Sequence, residues 1–537
     1  MSNFNEMVSS FVNTNSRARY SRGMRAKTSI IEDAPFINAM KEEQNWKRTE
    51  NGAQAKSSLN DKLYDLFALG GAYRSRGEAD CVLLFKEAYL QNPEYALKCL
   101  WYLRDILEGQ GERRFFRVCL RWLAAYDKKA VLRNLDTIAR DGFGRWDDLF
   151  VLFDTDCEQA VMDLIQKQLG EDMYNYQVSD TYAVSLCAKW MPSCNASSTK
   201  TKHNARKICH ALNISERDYR KMLSTLRERI KVVERLMSQN RWGEIQFDKL
   251  PSRAGLIYRK AFQRRDLIAE KYKAFAQDEN TTVNADALYP YDVVLKARDY
   301  MSLWSNSNNL QATERLMINK YWENLTDVFN GAKTDMMVVC DTSASMTWSQ
   351  GIKPIDVAVS LAMYAAEHAE GPFKNHYISF SHQARLVEVK GVDFCDKVAR
   401  IVGSNLCEDT NLESVFDLVL NTAMQHKLPD SAVPKTLVIV SDMEVNSATD
   451  EMCGGAEIFM DSIRRKWEQR CGGKYAFPNI VYWNVEARQN TFIDNPRAGV
   501  TFVSGASPVL FEQVVKGVSG EELMFQKLNS PRYKDIH

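Results

Sequence analysis

The sequence predicts an α-helical repeat domain followed by an α/β domain with a doubly wound, mostly parallel sheet. Helical periodicity runs through residues 58–330 and is interrupted by short glycine-containing breaks, which is typical of stacked helix pairs. After Lys333, short apolar runs alternate with amphipathic stretches, as strands and helices do in a doubly wound sheet. A length of 537 residues also suits two or more domains.

The first segment, residues 1–57, is predicted to be a polar, basic N-terminal arm. It ends at a turn signal, Thr49-Glu50-Asn51-Gly52-Ala53. Its basic cluster has two interpretations, a solvated segment or a contact with nucleic acid. The cluster meets no acidic residue until Glu32 and consists of Arg17, Arg19, Arg22, Arg25 and Lys27.

Residues 58–332 are predicted to form the helical domain, a solenoid of the HEAT type. Asn92 followed by Pro93 is a typical helix start, and Ser215 followed by Asp218 resembles a capping box. Breaks at 109–111 and 142–144 separate neighbouring helices. Paired helices of this kind bury their apolar faces against the next pair, although the sequence shows no strict repeat length.

Residues 333–517 are predicted to form the α/β domain, and residues 518–537 a C-terminal tail. Runs of apolar residues without alternation predict strands that are buried on both faces. The predicted strands are 336–340, 376–381, 384–389, 436–440, 480–485 and 500–503, with helices near 355–368, 394–402, 412–425, 456–470 and 508–515.

Small oxygen-bearing side chains lie on three of the predicted loops. Asp341, Ser343 and Ser345 come directly after the first strand, Thr410 lies in the loop before a helix, and Asp442 ends the strand 436–440. The carboxyl ends of parallel strands meet at one edge of a sheet, where such folds bind ligands. Mg²⁺ prefers oxygen ligands, so the five residues predict a site for Mg²⁺ or another divalent cation. The alternative is a strand-to-helix cap, in which the serines bond only backbone amides.

This set of five residues resembles the metal-ion-dependent adhesion site of von Willebrand factor A domains. The resemblance implies that Ser343, Ser345 and Thr410 ligate the metal directly, while Asp341 and Asp442 act mostly through water. It also implies the Rossmann-like topology of that family for residues 333–517.

Composition and charge exclude several classes of protein. The chain has no apolar run near the ~20 residues of a membrane span, and no apolar core of a signal peptide near Met1. Its 12 cysteines include no Cys-x-x-Cys pair, which indicates reduced thiols in a cytoplasmic protein. We also expect the protein to be a monomer. Residues 1–332 hold 50 Lys and Arg against 43 Asp and Glu, whereas the rest holds 20 against 26. A basic first half suits a partner that carries phosphate.

The most basic part of the helical domain is the stretch from Lys200 to Arg235. Arg220, Arg227 and Lys231 are spaced seven and four residues apart, so they are predicted to share one helix face. The face could bind phosphate, or it could only keep the helix soluble.

The two halves together resemble the Ro ribonucleoprotein family, in which a TROVE helical module closes into a ring with a von Willebrand A domain. The similarity is greatest to uncharacterised phage, bacterial and plant relatives of that architecture. It rests on Thr49–Ala53, Gly109–Arg114, Gly144–Leu149, Ala188–Ser193, Tyr219–Lys221 and Leu250–Ala254.

The resemblance implies RNA binding, with single-stranded ends in a basic hole and structured RNA on the outer helices. For each candidate contact, an ion pair between helices is the alternative. The candidate RNA contacts are Arg113, Arg114, Arg117, Lys189, Arg220, Arg227, Lys231 and Arg253.

The expected function is therefore a non-enzymatic RNA-binding scaffold with a metal-dependent docking site for an acidic residue of a partner protein. The alternative is a protein-docking module without RNA, such as a cofactor of an ATPase or a phage–host interaction factor. The sequence gives no sign of DNA specificity. It has no Walker loop and no Gly-x-Ser-x-Gly sequence, which argues against an enzyme.

Overall fold

The helices and strands belong to two units, which we call the sheet unit and the helical unit. The computed structural model describes residues 44–139, 143–179, 183–298, 312–349, 351–404, 409–447, 458–515 and 517–537, together with Phe36 and Met40. The sheet unit holds the described residues up to 99, and those of 328–390 and 401–530. The helical unit holds those of 100–327, 391–400 and 531–537. The predicted fold class, helices followed by a six-stranded α/β sheet, is confirmed.

The elements begin with two short strands and continue with helices, which were predicted for residues 58–332. The first are β1 (Trp46–Arg48), β2 (Gln54–Lys56), α1 (Lys62–Leu69), α2 (Glu78–Gln91), α3 (Pro93–Arg104), α4 (Arg113–Tyr126), α5 (Lys128–Arg133), α6 (Leu135–Ile138), α7 (Glu158–Val178) and α8 (Cys187–Trp190). Then come α9 (Thr199–Ala211), α10 (Glu216–Arg229), α11 (Val233–Ser238), α12 (Ser252–Arg264), α13 (Asp266–Gln277), α14 (Pro290–Arg298) and α15 (Ala312–Glu323).

The remaining elements alternate between strand and helix. They are β3 (Met336–Asp341), α16 (Pro354–His368), β4 (His376–Phe380), β5 (Ala384–Glu388), α17 (Phe394–Ser404), α18 (Glu413–Gln425), β6 (Thr436–Ser441), α19 (Phe459–Cys471), β7 (Asn479–Asn484), β8 (Val500–Ser504), α20 (Phe511–Val514) and α21 (Gly520–Leu528).

The six-stranded sheet has the order β5-β4-β3-β6-β7-β8. All neighbouring strands are parallel except β4 and β5. Every residue of β3 is buried, as its unbroken apolar run predicts. The chain leaves β3 toward β4 on one side and later returns to β6 on the other. The carboxyl end of β3 is therefore the switch point at which doubly wound sheets bind ligands.

Helix α1 packs on β8, the edge strand of this sheet. The Phe502 amide donates to the Tyr64 hydroxyl at 2.9 Å, and the Gly71 amide donates to Ser504 Oγ at 3.0 Å. A Cβ at Gly71 would lie 2.6 Å from the Ser504 carbonyl oxygen, so only glycine permits this approach. Residues 58–99 thus lie in the sheet unit, which differs from the predicted start of the helical domain at residue 58.

The end of the predicted N-terminal arm is structured. Strands β1 and β2 form an antiparallel hairpin in the sheet unit, and Gly52 in its turn has a φ of 95° that favours glycine. The described end of the predicted arm 1–57 therefore includes a folded hairpin. The predicted basic cluster from Arg17 to Lys27 lies outside the described residues.

The helical unit follows the helix starts and stops expected from the sequence. Ser215 Oγ accepts a hydrogen bond from the Asp218 amide at 3.1 Å, as an N-cap residue does. Helix α10 ends at Arg229, and Lys231 has a left-handed backbone with a φ of 54°. The expectation that Lys231 shares a helix face with Arg220 and Arg227 is therefore wrong, because the helix stops before it. Among the described residues, no helix is both long and apolar enough to cross a membrane.

The predicted C-terminal tail, residues 518–537, is folded in two parts. Helix α21 lies in the sheet unit, and residues 531–537 lie in the helical unit. There Arg532 forms two contacts with the fully buried Asp105, one of them at 2.8 Å from Nη2 to Oδ1. The Tyr533 hydroxyl donates to the same carboxylate at 3.0 Å. The last residues of the chain thus neutralise a buried charge.

Replacing Arg532 with alanine should therefore destabilise the helical unit by about 2–3 kcal/mol, because a buried carboxylate loses its charged partner. The midpoint of thermal unfolding measures this loss. Lys534→Ala, at an exposed neighbouring position, is the control and should leave the midpoint unchanged. Equal midpoints for the two variants would contradict a role of Arg532 in stability.

Candidate functional site

The predicted metal residues lie on loops at the carboxyl edge of the sheet. Asp341 is the last residue of β3 and pairs in register with Phe380 at the end of β4. On the other side Cys340 pairs with Val440, so Asp341 and Ser441 end neighbouring strands. Since these three strands are parallel and adjacent, the loops that follow them share one edge.

Asp341 and the two serines form the centre of this edge. Asp341 Oδ1 accepts from the Ser343 amide at 2.9 Å, and Oδ2 accepts from Ser441 Oγ at 2.5 Å. A short 3₁₀ turn, Ala344–Thr347, brings Ser345 Oγ within 3.1 Å of Ser343 Oγ. Asp341 and Ser343 are fully buried, and Ser345 is half-buried. The sequence Asp-x-Ser-x-Ser thus brings its three side chains together.

The loop that carries Thr410 reaches both neighbours of β3. The Asn411 amide donates to the carbonyl of Ser381, just beyond β4, at 2.8 Å. The Asn446 amide, beyond β6, donates to the carbonyl of Thr410 at 3.0 Å. Because β3 lies between β4 and β6, this loop passes over the carboxyl end of β3, where Asp341 is.

Asp442 is almost fully buried and lies next to Asp341. Its Oδ1 accepts from the Glu444 amide at 3.2 Å, and the Arg488 guanidinium contacts Oδ2. Burial, and then the charge of Asp442, raise the pKa of Asp341 to about 7. Met443, between Asp442 and Glu444, has a left-handed backbone with a φ of 63°. This conformation is strained for methionine, and strained residues are often found at functional sites.

Three residues at this edge were not identified from the sequence. The turn of the β1–β2 hairpin approaches the site: the Glu50 amide donates to Glu444 Oε2 at 2.6 Å. The Asn51 amide group donates to the Glu444 carbonyl at 2.6 Å and to Thr410 Oγ1 at 3.4 Å. Burial raises the pKa of Glu444 to about 7, with smaller contributions from the charges of Asp442 and Glu50. Only long-range contacts connect these residues, so no local pattern could have identified them.

The oxygen donors fit a hard divalent cation better than a cap. Two carboxylates and three hydroxyls come from three loops, and a cap would need only the serines. The two aspartates repel each other while both are ionised, and a cation between them would relieve that repulsion. No group of three His, Cys, Asp or Glu side chains in the described part of the chain is arranged to hold a metal. A cation at this edge would therefore depend on the hydroxyl groups of Ser343, Ser345 and Thr410.

The helical unit contains a second candidate site, a cavity of about 1200 Å³ that we call the basic cavity. Its walls come from α4, α8, α9, α10, α11, α12 and the segments between them. Its acidic lining residues are Asp147 and Glu234. The cationic lining residues are Arg113, Arg117, Arg145, Lys189, Lys200, Arg227, Arg235 and Arg253.

A chain of ion pairs holds one wall of the basic cavity. Fully buried Asp148 accepts from Arg104 Nη2 at 2.7 Å and from Arg117 Nε at 2.5 Å. Asp147 forms ion pairs with Arg117 and with Arg145, each at 2.8 Å. Three arginines therefore share two carboxylates, and one positive charge is left over.

Arg113 adds a further positive charge to this wall. Among the described residues, its guanidinium has no hydrogen bond or ion pair to a carboxylate. Burial, and then the charges of Arg145, Arg104 and Arg117, lower the pKa of Arg113 to about 10, and the charge of Asp147 offsets only part of this lowering. An anion bound here would be stabilised by the same charges.

The candidate RNA contacts divide into two groups. Those that line the basic cavity are Arg113, Arg117, Lys189, Arg227 and Arg253. Those outside its lining are Arg114, Arg220 and Lys231.

Ion pairs, the alternative interpretation, apply to some of these residues. Arg117 pairs with Asp147 and Asp148, and Arg253 pairs with Asp292 at 3.1 Å. Arg227 instead donates to the carbonyls of Ala188 and Met191, both at 2.8 Å, and so supports the wall.

Arg145 and Trp190 were not predicted as contacts, although both lie in segments that carry the family resemblance. The Arg145 guanidinium lies 3.9 Å from the centre of the Trp190 ring and is held by Asp147. The neighbouring Lys189 ammonium lies 5.4 Å from the same ring. The sequence feature that could have indicated Arg145 as a contact is its position between Gly144 and Trp146.

Comparisons with known proteins find two family models that match this chain, one on each side of residue 333. The model described as "Domain of unknown function (DUF2828)" matches residues 49–159 and 158–332, and "Domain of unknown function (DUF7788)" matches residues 335–529. The uncharacterized protein L728 of Acanthamoeba polyphaga mimivirus is 28% identical over 506 residues, which cover 87% of this chain and 84% of the relative. A crystal structure of the Deinococcus radiodurans Ro (RSR) protein aligns with a TM-score of 0.46 and 14% identity, covering 85% of this chain and all of that one.

Proposed function

The chain belongs to the DUF2828 family, and we propose that it is an RNA-binding scaffold whose basic cavity holds single-stranded RNA. The observation that carries the proposal is the charge of that cavity. Eight cationic side chains line it against two acidic ones. Cationic side chains that line one cavity repel one another until an anion neutralises them, and RNA is a polyanion.

The cavity also offers surfaces on which bases can stack. Trp190, Phe150 and Tyr258 are part of its lining. Proteins that bind single-stranded RNA combine cationic grooves with aromatic side chains, because every base has an aromatic face. The sequence resemblance to Ro ribonucleoproteins favours RNA over other polyanions.

The second part of the proposal concerns the sheet unit. Ser343, Ser345 and Thr410 would hold Mg²⁺ directly, and Asp341 and Asp442 would hold it through water. A bound Mg²⁺ with an open position supplies a contact for a carboxylate of a partner protein. If the cavity does not bind RNA, this docking site is the alternative function, and its support is the convergence of five oxygen donors on one sheet edge.

The RNA proposal makes a prediction about salt. If several phosphates contact the cavity, a plot of log affinity against log salt for single-stranded RNA should have a slope of about −0.7 per phosphate. Fluorescence anisotropy with a labelled oligonucleotide measures this slope at KCl concentrations from about 50 to about 200 mM. A flat response, or no binding at the lowest salt, would remove the RNA proposal.

The position of the binding surface is tested with a matched pair of variants. Lys200 is exposed in the first turn of α9 and lines the cavity. Because a glutamate is favourable near a helix N-terminus, Lys200→Glu should fold. Arg220 is exposed on α10, outside the cavity lining. We expect Lys200→Glu to weaken binding about tenfold and Arg220→Glu to have little effect. Equal losses would place the RNA on another surface.

A further inference from the structure

In the wall of the basic cavity around Arg113, the cationic side chains have fewer acidic partners than those on the other walls. We call it the arginine corner and define it by Arg113, Arg117, Arg145, Lys189 and Asp147. Arg235 and Arg253 on other walls each pair with an acid, Glu228 at 3.0 Å and Asp292 at 3.1 Å. In the corner, cations outnumber acids even when the buried Asp148 and Arg104 behind it are included.

We propose that the arginine corner recognises a terminal phosphomonoester of the RNA, rather than an internal phosphodiester. The inference rests on the proposed RNA-binding function and names the group that this part of the cavity selects. A phosphomonoester has a charge of about −1.5 to −2 at pH 7, whereas an internal phosphodiester has a charge of −1.

The charges of the corner favour the more highly charged group. Arg104, Arg117 and Arg145 share Asp147 and Asp148, which leaves one positive charge, and Arg113 contributes a second. Lys189 contributes a third, and its ammonium has no carboxylate partner among the described residues. A single phosphodiester would neutralise only one of these charges.

The geometry of the corner suits a compact anion. Arg145 is fixed by two hydrogen bonds to Asp147, at 2.8 and 2.9 Å, and by its contact with the Trp190 ring. Arg117 is fixed by both aspartates. Two arginines are therefore rigid, so little side-chain entropy is lost when they bind a phosphate. Arg113, the first residue of α4, is free to donate to the same phosphate, and the positive end of the helix dipole adds to the attraction.

The experiment compares one single-stranded oligonucleotide with a 5′-phosphate, with a 3′-phosphate and with hydroxyls at both ends. At pH 7.5 we expect one phosphorylated form to bind about tenfold more tightly than the hydroxyl form, because it makes additional charge-assisted hydrogen bonds. Whether the 5′-phosphate or the 3′-phosphate increases the affinity shows which end of the strand lies in the arginine corner. Equal affinities for all three forms would overturn the inference and leave the RNA proposal standing, whereas no binding of any form would overturn both.

The pH dependence gives an independent check. The second pKa of a phosphomonoester is about 6, so the ligand loses one negative charge between pH 7.5 and 5. The groups that face it are Arg113, Arg117, Arg145, Lys189 and Asp147, and no histidine is among the lining residues. The hydrogen bonds and charges of Arg145 and Arg117 lower the pKa of Asp147, which therefore stays ionised in this range. The preference for the phosphorylated form should therefore shrink at pH 5, and an unchanged preference would contradict the inference.

Two variants separate the corner from the cavity as a whole. Arg113→Gln should bring the affinity ratio of phosphorylated to hydroxyl RNA close to one. Lys200→Gln should weaken both forms and keep the ratio. Because Arg113 has no ion pair with the residues that the structure describes, its variant should fold, and circular dichroism checks this. A ratio that survives Arg113→Gln would overturn the inference.

Competition with a nucleoside 5′-monophosphate and with inorganic phosphate separates an RNA end from a free small molecule. We expect either competitor to displace the phosphorylated oligonucleotide only at concentrations far above that of the unlabelled oligonucleotide. Displacement by the mononucleotide at equal or lower concentration would assign the corner to a free nucleotide and contradict the inference.

Discussion

Asp341→Ala should remove Mg²⁺ binding by the sheet unit, and the fold should survive. Loss of a carboxylate that holds metal-bound water costs about 10–100-fold in metal affinity, and Asp341 also positions Ser343 through its amide. The variant should fold because burial and the charge of Asp442 already raise the pKa of Asp341. Removing the carboxylate therefore also removes a repulsion that opposes folding.

Isothermal titration calorimetry with Mg²⁺ and Mn²⁺ measures this loss. Asp409→Ala is the matched control, since Asp409 precedes Thr410 in the same loop but its side chain is 72% exposed. We expect the control to bind metal like the unaltered protein. Unchanged affinity in Asp341→Ala would contradict the metal assignment, and the serines would then be interpreted as a strand-to-helix cap.

The second large effect is expected at Asp148, in the ion-pair chain behind the basic cavity. Asp148→Ala would leave the buried Arg104 guanidinium, which is 4% exposed, without a carboxylate. Removing one partner of a buried ion pair costs about 3–5 kcal/mol. In a unit of this size, such a loss lowers the midpoint of thermal unfolding by on the order of 10 °C.

Asp147 provides the control for this prediction. It is the next residue along and pairs with two arginines at similar distances, but its side chain is 22% exposed. Asp147→Ala should cost only about 1 kcal/mol, because water can solvate the arginines that it leaves. Differential scanning calorimetry compares the two variants, and equal midpoints would show that burial does not determine the strength of these pairs.

Much of the sheet unit could be predicted because its signals are local. The apolar run before Asp341 predicts a buried strand, and the parallel arrangement of β3, β4 and β6 places its loop beside those of Thr410 and Asp442. The topology of the sheet therefore predicts that Asp341 and Ser441, which are 100 positions apart in the sequence, lie close together. Helix starts at Pro93 and after Ser215 were predictable for the same reason, since a cap involves only near neighbours.

The parts that could not be predicted depend on contacts between distant residues. Arg488 reaches Asp442, and Asn51 reaches Glu444 across 393 positions, without any pattern that relates them. The same applies to Arg145, whose role depends on Trp190 lying beside it. Lys231 was misplaced because spacing alone does not show that a helix ends at Arg229.

The hydrogen bond between Tyr64 and Phe502 spans 438 positions of the chain. During synthesis, the β1–β2 hairpin and α1 leave the ribosome long before β8 exists, so their packing surface has no partner for most of translation. Closing so long a loop is slow and exposes apolar side chains in the meantime. The sheet unit therefore matures only after nearly the whole polypeptide has been made, and chaperones that shield its earliest residues would have the longest time to act.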